Sequence, residues 1–240
     1  KKLTDKMFNP GENLTGITFP KHLVIIPDGN RRWAKERGLS VFLGHREGAK
    51  RVSELLEYLN TVPVEYVTIW LFSGENWKRS ADEVSQLMNL FVEALSEIAK
   101  VCMDQGIRFK HLGRLDRLEE GIVDMIKKLE KDTQFFDNKK NLNFAIDYSG
   151  REEILRAANR LPKNQEITEE VFSNCLDTRN IPDPDLIIRT SGEQRLSGIL
   201  PWQSVYSELY FTPKCFPEFN VIELQKAFLE FHTRQRRFGK

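Results

Sequence analysis

Three polar clusters in this chain each follow an apolar run, and each carries residue types suited to anions. The first, Asp28-Gly29-Asn30-Arg31-Arg32-Trp33, comes directly after His22-Leu23-Val24-Ile25-Ile26-Pro27. Gly29 lets backbone approach a ligand, and Asn30 can cap a helix beginning near Arg31. The N–H groups of that first turn, beside the fixed charge of Arg32, favour a phosphate. A carboxylate among such donors is out of place for an anion alone, but Asp28 could hold a divalent ion that bridges diphosphate oxygens. Taken in isolation, Asp-Gly-Asn is also ordinary turn chemistry between a strand and a helix. Gly44-His45, read as lying ahead of a helix containing Arg46 to Leu59, could present an imidazole and further N–H groups to the same ligand. A solitary histidine is, however, commonly structural.

The second cluster, Ser73-Gly74-Glu75-Asn76-Trp77-Lys78-Arg79, follows Val67 to Phe72. Its Ser, Asn and Arg could orient a diphosphate and its leaving oxygen, or Glu75, Lys78 and Arg79 could be a solvated loop around a core Trp77. In the third cluster Arg189 and Arg195 flank a Ser/Gly turn that ends near Ser197, and guanidinium forks suit phosphate oxygens. Glu208 supplies an acid just before the apolar run Leu209 to Phe211, where a surface residue at a strand start is the plainer reading.

The elements that must position these groups are legible as patterns. Short apolar runs at His22 to Ile26, Tyr66 to Phe72, Ile107 to Leu112, Leu142 to Ile146, Leu186 to Ile188 and Leu209 to Phe211 read as strands. Between most of them lie helical patterns. The clearest spans about Ala81 to Met103, with Val84, Leu87, Met88, Phe91, Leu95, Ile98 and Cys102 at steps of three and four. A second stripe is Leu118, Ile122, Met125, Ile126 and Leu129, and Val221 to Phe231 reads as an amphipathic helix leading into the basic run Arg234, Arg236, Arg237. Apolar strands alternating with amphipathic helices predict an open α/β fold, a parallel sheet with helices on both faces, whose ligands bind beyond the carboxyl ends of the strands. The 240 residues suit a single domain with a polar opening segment over 1–20 and a polar surface loop at Pro162 to Glu170.

Composition narrows the function classes. Lys and Arg (36) nearly cancel Asp and Glu (35), so no overall field recommends nucleic acid or an anionic membrane, and any anion site is local. Cys102, Cys175 and Cys215 form no CxxC or Cys/His cluster, which argues against a disulfide framework or structural zinc and fits a reducing cytoplasm. No run has the apolar length of a spanning helix or the core of a signal peptide, which leaves open a peripheral membrane contact. Neither GxGxxG nor GxxxxGK[ST] occurs, which disfavours a nucleotide enzyme.

The clusters, in this order and spacing, resemble the cis-prenyltransferase family that includes bacterial undecaprenyl diphosphate synthases. The likeness runs through His22 to Trp33, Phe72 to Arg79, Ile188 to Ser197, Ser207 to Phe211 and the closing Arg234-Gln-Arg-Arg-Phe-Gly. It implies an α/β fold with an elongated apolar tunnel, a homodimer, Mg²⁺, and condensation of isopentenyl diphosphate with an allylic diphosphate such as geranyl or farnesyl diphosphate. By the same resemblance, Asp28 would hold Mg²⁺ with help from Glu208, while Gly29, Asn30, Arg32, His45 and Arg79 would cradle the allylic diphosphate. Arg189, Arg195 and Ser197 would take isopentenyl diphosphate. Phe72, Ser73, Asn76 and Trp77 would line the reacting centre, with Asn76 assisting proton removal, and Arg31, Trp33 and Glu75 complete the substrate-binding set.

Some positions depart from the family pattern. Arg31 stands where Gly is common and Val41 where an arginine often helps with phosphate, so Arg31 is a candidate replacement for that charge. Arg114 and Pro201 also depart, with no consequence assigned. The stripe Val84, Leu87, Met88, Phe91, Leu95, Ile98 would wall the tunnel as well as the core, and Leu71, where longer-chain members carry alanine, would obstruct elongation. A short to medium product is expected. A trans-prenyltransferase is disfavoured because DDxxD is absent, and a non-catalytic partner subunit because Asp28, Arg32, Arg189, Arg195 and Glu208 are all present.

Overall fold

The computed structural model describes residues 16–234. The six apolar runs form β1 (His22–Ile26), β2 (Tyr66–Ser73), β3 (Arg108–Leu112), β4 (Asn141–Tyr148), β5 (Leu186–Arg189) and β6 (Glu208–Phe211). They pair in parallel throughout, in the order β3-β4-β2-β1-β5-β6. The helices are α1 (Asn30–Glu36), α2 (Val41–Thr61), α3 (Ala81–Gln105), α4 (Glu120–Thr133), α5 (Gly150–Arg160), α6 (Glu169–Ser173) and α7 (Val221–Thr233). Parallel neighbours need crossovers, and the amphipathic helices supply most of them.

Local chemistry sets the element ends. The Ser80 hydroxyl accepts from the Glu83 N–H at the start of α3, Asp82 and Glu83 face the positive end of its dipole, and Gly106 ends it in the left-handed region at φ 66°. The sheet's two faces differ in depth. Leu23, Ile25, Ile69, Phe144 and Ile188 join a large core with α2, α3, α4 and α7. On the other face Val24, Ile26, Ala145, Tyr148 and Ile187 pack against Ile199 and Leu200, and the Tyr148 hydroxyl donates to Glu153 of α5. Part of the polar opening segment docks: the Phe19 ring meets Phe228 edge-on at 5.3 Å, and the Thr18 N–H donates to the His232 Nδ1.

Two irregularities place the site. The chain leaves β1 towards β2 on one side of it, and β5 towards β6 on the other. Adjacent strands β1 and β5 therefore flank the crevice at which open α/β sheets bind ligands. In β2, Trp70 pairs with Ala145 but Phe72 with Ile146, so Leu71 is the extra residue of a bulge. The bulge puts both Leu71 and Phe72 on the large-core side, Phe72 buried in the core and Leu71 lining the cavity described below.

A buried polar chain ties β1, β2 and β4. The Pro182 carbonyl can only accept, so His22 Nδ1 is the protonated nitrogen and donates to it at 2.7 Å. Nε2 then accepts from the Thr68 hydroxyl at 2.8 Å, which itself accepts from Asn143 Nδ2. Burial lowers the His22 pKa to about 4. Between the unfolded pKa of ~6.5 and 4 the unfolded chain therefore binds a proton that the folded one refuses, and stability falls as pH drops through that window. We expect urea unfolding to report a loss of about 2 kcal/mol from this residue between pH 7.5 and 5. A midpoint unchanged over that range would contradict the assignment.

Candidate active site

Asp28 and Arg189 meet at the β1/β5 crevice. Ile26 is level with Arg189, and two residues past Ile26 the chain presents Asp28, whose Oδ2 accepts from Arg189 Nη2 at 2.8 Å. The Gly29 N–H donates to Asp28 Oδ1 at 2.7 Å. Thr190 clamps the turn from the neighbouring strand: its hydroxyl accepts from the Asp28 N–H and donates to the Asp28 carbonyl. Arg189 Nη1 donates to the Arg195 carbonyl and to the Ser197 hydroxyl, so one buried guanidinium ties the far end of the following loop back to β5. That loop is strained, with Ser191, Ser197 and Leu200 at positive φ.

Gly29 caps α1 at φ 98°. A Cβ there would lie 2.8 Å from Ser191 Cβ and 2.9 Å from Cys215 Sγ. Asn30 is not the cap: it is the first residue of α1, and its Nδ2 donates to the Pro27 carbonyl. Nor does His45 lie ahead of its helix. α2 starts at Val41, so Gly44 and His45 are inside it, and the Gly44 N–H is spent on the Ser40 carbonyl. Their spacing serves packing: a Cβ at Gly44 would meet Asn30 O at 2.2 Å and one at Gly48 would meet Asn30 Oδ1 at 2.6 Å, so two missing side chains let α2 close on the turn.

A cavity of about 660 Å³ opens beside this turn. Asp28, Asn30, His45, Ser73, Asn76, Arg79, Arg189 and Ser197 line its polar end, which unites the three clusters. Leu71, Leu87, Leu90, Phe91, Ala94, Ile98 and Val52 continue it as a channel between α2 and α3, whose lining also takes in Lys50, Glu54, Glu93 and Glu97. Its α3 wall differs from the periodic stripe: Leu87, Phe91 and Ile98 face the cavity, but Met88 and Leu95 turn into the core, and Leu90 and Ala94 take their place. Among the described residues, buried side-chain polar atoms without hydrogen-bond partners are Asn30 Oδ1, His45 Nε2, Arg189 Nε, Ser191 Oγ and Gln203 Oε1. The first three belong to cavity-lining residues, and Ser191 abuts Gly29. Buried groups left unpaired are costly, and a polar ligand in the cavity is one way to satisfy such groups.

Residues 26–239 match the family model described as "Putative undecaprenyl diphosphate synthase". The chain belongs to this family of cis-prenyltransferases. Among relatives, an "Isoprenyl transferase" of Fusobacterium nucleatum is 48% identical over 92% of this chain and 96% of its own. Among solved structures, the lavandulyl diphosphate synthase of Lavandula x intermedia, in complex with dimethylallyl diphosphate, superposes with a TM-score of 0.88 at 35% identity, covering 92% of this chain and 99% of that one. A probable undecaprenyl diphosphate synthase from Campylobacter jejuni gives a TM-score of 0.79 at 33% identity over 93% and 100% of the two chains.

In this prenyltransferase several expected site residues stand behind the cavity wall. Trp77 donates from Nε1 to Asp147 at 2.9 Å and packs edge-on against buried Phe72 at 5.1 Å. Glu75 accepts from Ser149, and Trp33 lies outside, under the Arg37 guanidinium at 4.6 Å. Arg32 donates to the Ser191 carbonyl at 2.7 Å and to Glu193, which also takes Arg195. Arg31 reaches towards Glu83, with Nε 3.8 Å from Oε1. Glu208 is not brought to Asp28 within the chain. It is level with Leu186 and Leu23, roughly 10 Å before the carboxyl end of β1, and accepts from Arg234 at 2.9 Å. Arg236 and Arg237 lie outside the described residues.

Sequence reading missed Asp147 and Glu83. Asp147 is buried at the end of β4, at φ 53°, where it accepts from Trp77 and Arg117. An Asp closing an apolar strand was the same signal as Asp28. Glu83 stands four residues after Arg79, the spacing of a helical ion pair. Burial, and then the nearby Arg79, lower the His45 pKa, so the imidazole is neutral near pH 7. We expect Gly29→Ala to cost about 1–2 kcal/mol in the left-handed backbone alone, and more from displaced Ser191 and Cys215. Turnover should fall with it, and urea unfolding with steady-state rates checks this: wild-type values for both would refute the close packing.

Proposed function

We propose that this prenyltransferase condenses isopentenyl diphosphate with a short allylic diphosphate, using Mg²⁺, and releases a Z-polyprenyl diphosphate of short to medium length. The observation that carries the reading is the gathering of polar side chains from all three clusters, Asp28, Asn76, Arg79 and Arg189 among them, in one cavity that also runs along Leu71, Leu87, Phe91 and Ile98. A ligand with an anionic head and a hydrocarbon tail satisfies both ends. The dimethylallyl diphosphate bound by the lavender relative is such a molecule.

Mg²⁺ fits the donors present. Each Asp28 oxygen accepts one hydrogen bond and keeps a further lone pair. No group of three or more His, Cys, Asp or Glu side chains able to hold a metal occurs among the described residues. A single carboxylate that shares the ion with substrate phosphates is a usual Mg²⁺ arrangement. When bound, the ion neutralises charge developing on the departing diphosphate. Arg79, Asn30 and neutral His45 hold the allylic diphosphate at the same mouth, and Arg31 adds charge on the side where Val41 offers none. Arg189 and Ser197, with Arg195 beyond them, hold isopentenyl diphosphate. Fixing the two substrates side by side in one cavity is itself a large part of the rate. Asn76, whose Oδ1 accepts from the Ser73 N–H, keeps a second lone pair there to assist loss of the proton from isopentenyl diphosphate.

Support for a limited chain length comes from the bulge that points Leu71 into the channel, and from a volume within the ~300–1,000 Å³ of sites for small ligands. Support for a homodimer comes from edge strand β6, beside exposed Val205 and Tyr206, and Glu208 would serve a metal at Asp28 only from a second copy. No helix among the described residues is long and apolar enough to cross a membrane.

Asp28→Ala is expected to lower turnover by about a hundredfold or more with isopentenyl and farnesyl diphosphates and Mg²⁺. Retained activity would refute the metal assignment. Chromatography of radiolabelled polyprenols tests product length. A dominant product of undecaprenyl length or longer would sink the short-channel reading, whereas Leu71→Ala should move the distribution to longer chains.

A further inference from the structure

One carboxylate oxygen faces three basic side chains from three elements. Glu83 Oε1 lies 3.1 Å from Arg79 Nη1, 3.4 Å from His45 Nε2 and 3.8 Å from Arg31 Nε. Glu83 is largely buried, with a side chain 12% exposed, and it lines not the main cavity but a groove behind it, between the starts of α2 and α3. Arg79 and His45 line the main cavity itself. Arg79 and His45 thus stand between a permanent carboxylate on one side and the cavity on the other, while the more exposed Arg31 approaches Glu83 from α1. His45, neutral near pH 7, adds no charge to this group: its buried Nε2 lies 3.4 Å from Glu83 Oε1 without a well-formed hydrogen bond, a polar contact open to either side.

We propose that Glu83 is the internal counter-anion of this diphosphate site, taking back Arg79 and Arg31 each time pyrophosphate departs and so weakening the site's hold on that by-product. The proposal rests on the reading that this end of the cavity takes the allylic diphosphate. Its physical content is a balance. An anion entering the cavity must share the cations with Glu83 and is repelled by it, so the empty site is stabilised relative to the loaded one. A chain-lengthening enzyme needs that balance, since pyrophosphate must leave before the lengthened chain can occupy the same cations.

Glu83→Gln separates charge from shape, because the amide oxygen still accepts from Arg79. With the full chain and Mg²⁺, titration calorimetry of inorganic pyrophosphate should show Glu83→Gln binding about tenfold more tightly, the equivalent of about 1.4 kcal/mol. Pyrophosphate should become a correspondingly stronger inhibitor, and steady-state turnover should fall while the single-turnover rate changes little. Glu83→Ala, which loses the hydrogen bond as well, should also bind pyrophosphate more tightly than wild type. If Glu83 only braces Arg79, both variants bind pyrophosphate equally or more weakly and single-turnover rates fall, and the proposal is overturned. A wild-type protein that turns over prenyl substrates yet shows no pyrophosphate binding would overturn it too. Absence of both binding and turnover would remove the underlying assignment of the site.

Discussion

The ion pair between Asp28 and Arg189 is the constraint on which the site is built. Arg189 is buried at the end of β5, and a buried guanidinium requires an acid and further acceptors. Asp28 supplies the acid from the neighbouring strand end, and the Arg195 carbonyl and Ser197 hydroxyl supply the rest. Those bonds fix the loop through Ser191 and Ser197 against its positive-φ strain, and the loop in turn holds Arg32 through the Ser191 carbonyl. One desolvated charge therefore orders the first and third clusters together. The pair is also the place where a metal and two diphosphates would have to share oxygens and donors, so structural and chemical demands fall on the same atoms.

Around that pair, small departures from regular geometry shape the cavity. Gly44 and Gly48 let α2 lie on Asn30, the bulge in β2 aims Leu71 at the channel, and Ser73 with Asn76 forms a capping box that folds the second cluster over the mouth. Behind it, Asp147 fixes Trp77, whose ring braces Phe72. The polar residues at the mouth are thus seated by buried groups that never touch the cavity. This support keeps the donors in place without a ligand, which is the condition for electrostatic stabilisation of a leaving group.

Much of this was legible in one dimension because it depends on local pattern. Each strand begins and ends within about two residues of its apolar run, and α3 follows its stripe, since periodic burial and caps such as Ser80 and Gly106 are properties of neighbouring residues. The three clusters were legible for the same reason: polar residues at the ends of apolar strands in a parallel sheet must come out on one side. Where the reading erred, a tertiary contact had overridden a local preference. Asn30 has the chemistry of a cap, but α2 presses on it and Gly29 takes the cap. Gly44 looks like a helix boundary, yet it is the contact surface of a helix already begun.

The sequence alone determined the fold class, the strand ends and the inventory of charges available for diphosphate chemistry, because burial periodicity and residue type act over a few positions. Only the tertiary structure decided who pairs with whom. It brought Asp28 to Arg189 across 161 positions, drew Arg31, His45 and Arg79 onto Glu83, chose which face of α3 lines the channel, and carried Glu208 to the opposite end of the sheet from Asp28. These outcomes follow from strand order and register, which are set by the packing of the whole sheet against its helices. No local run of residues encodes them.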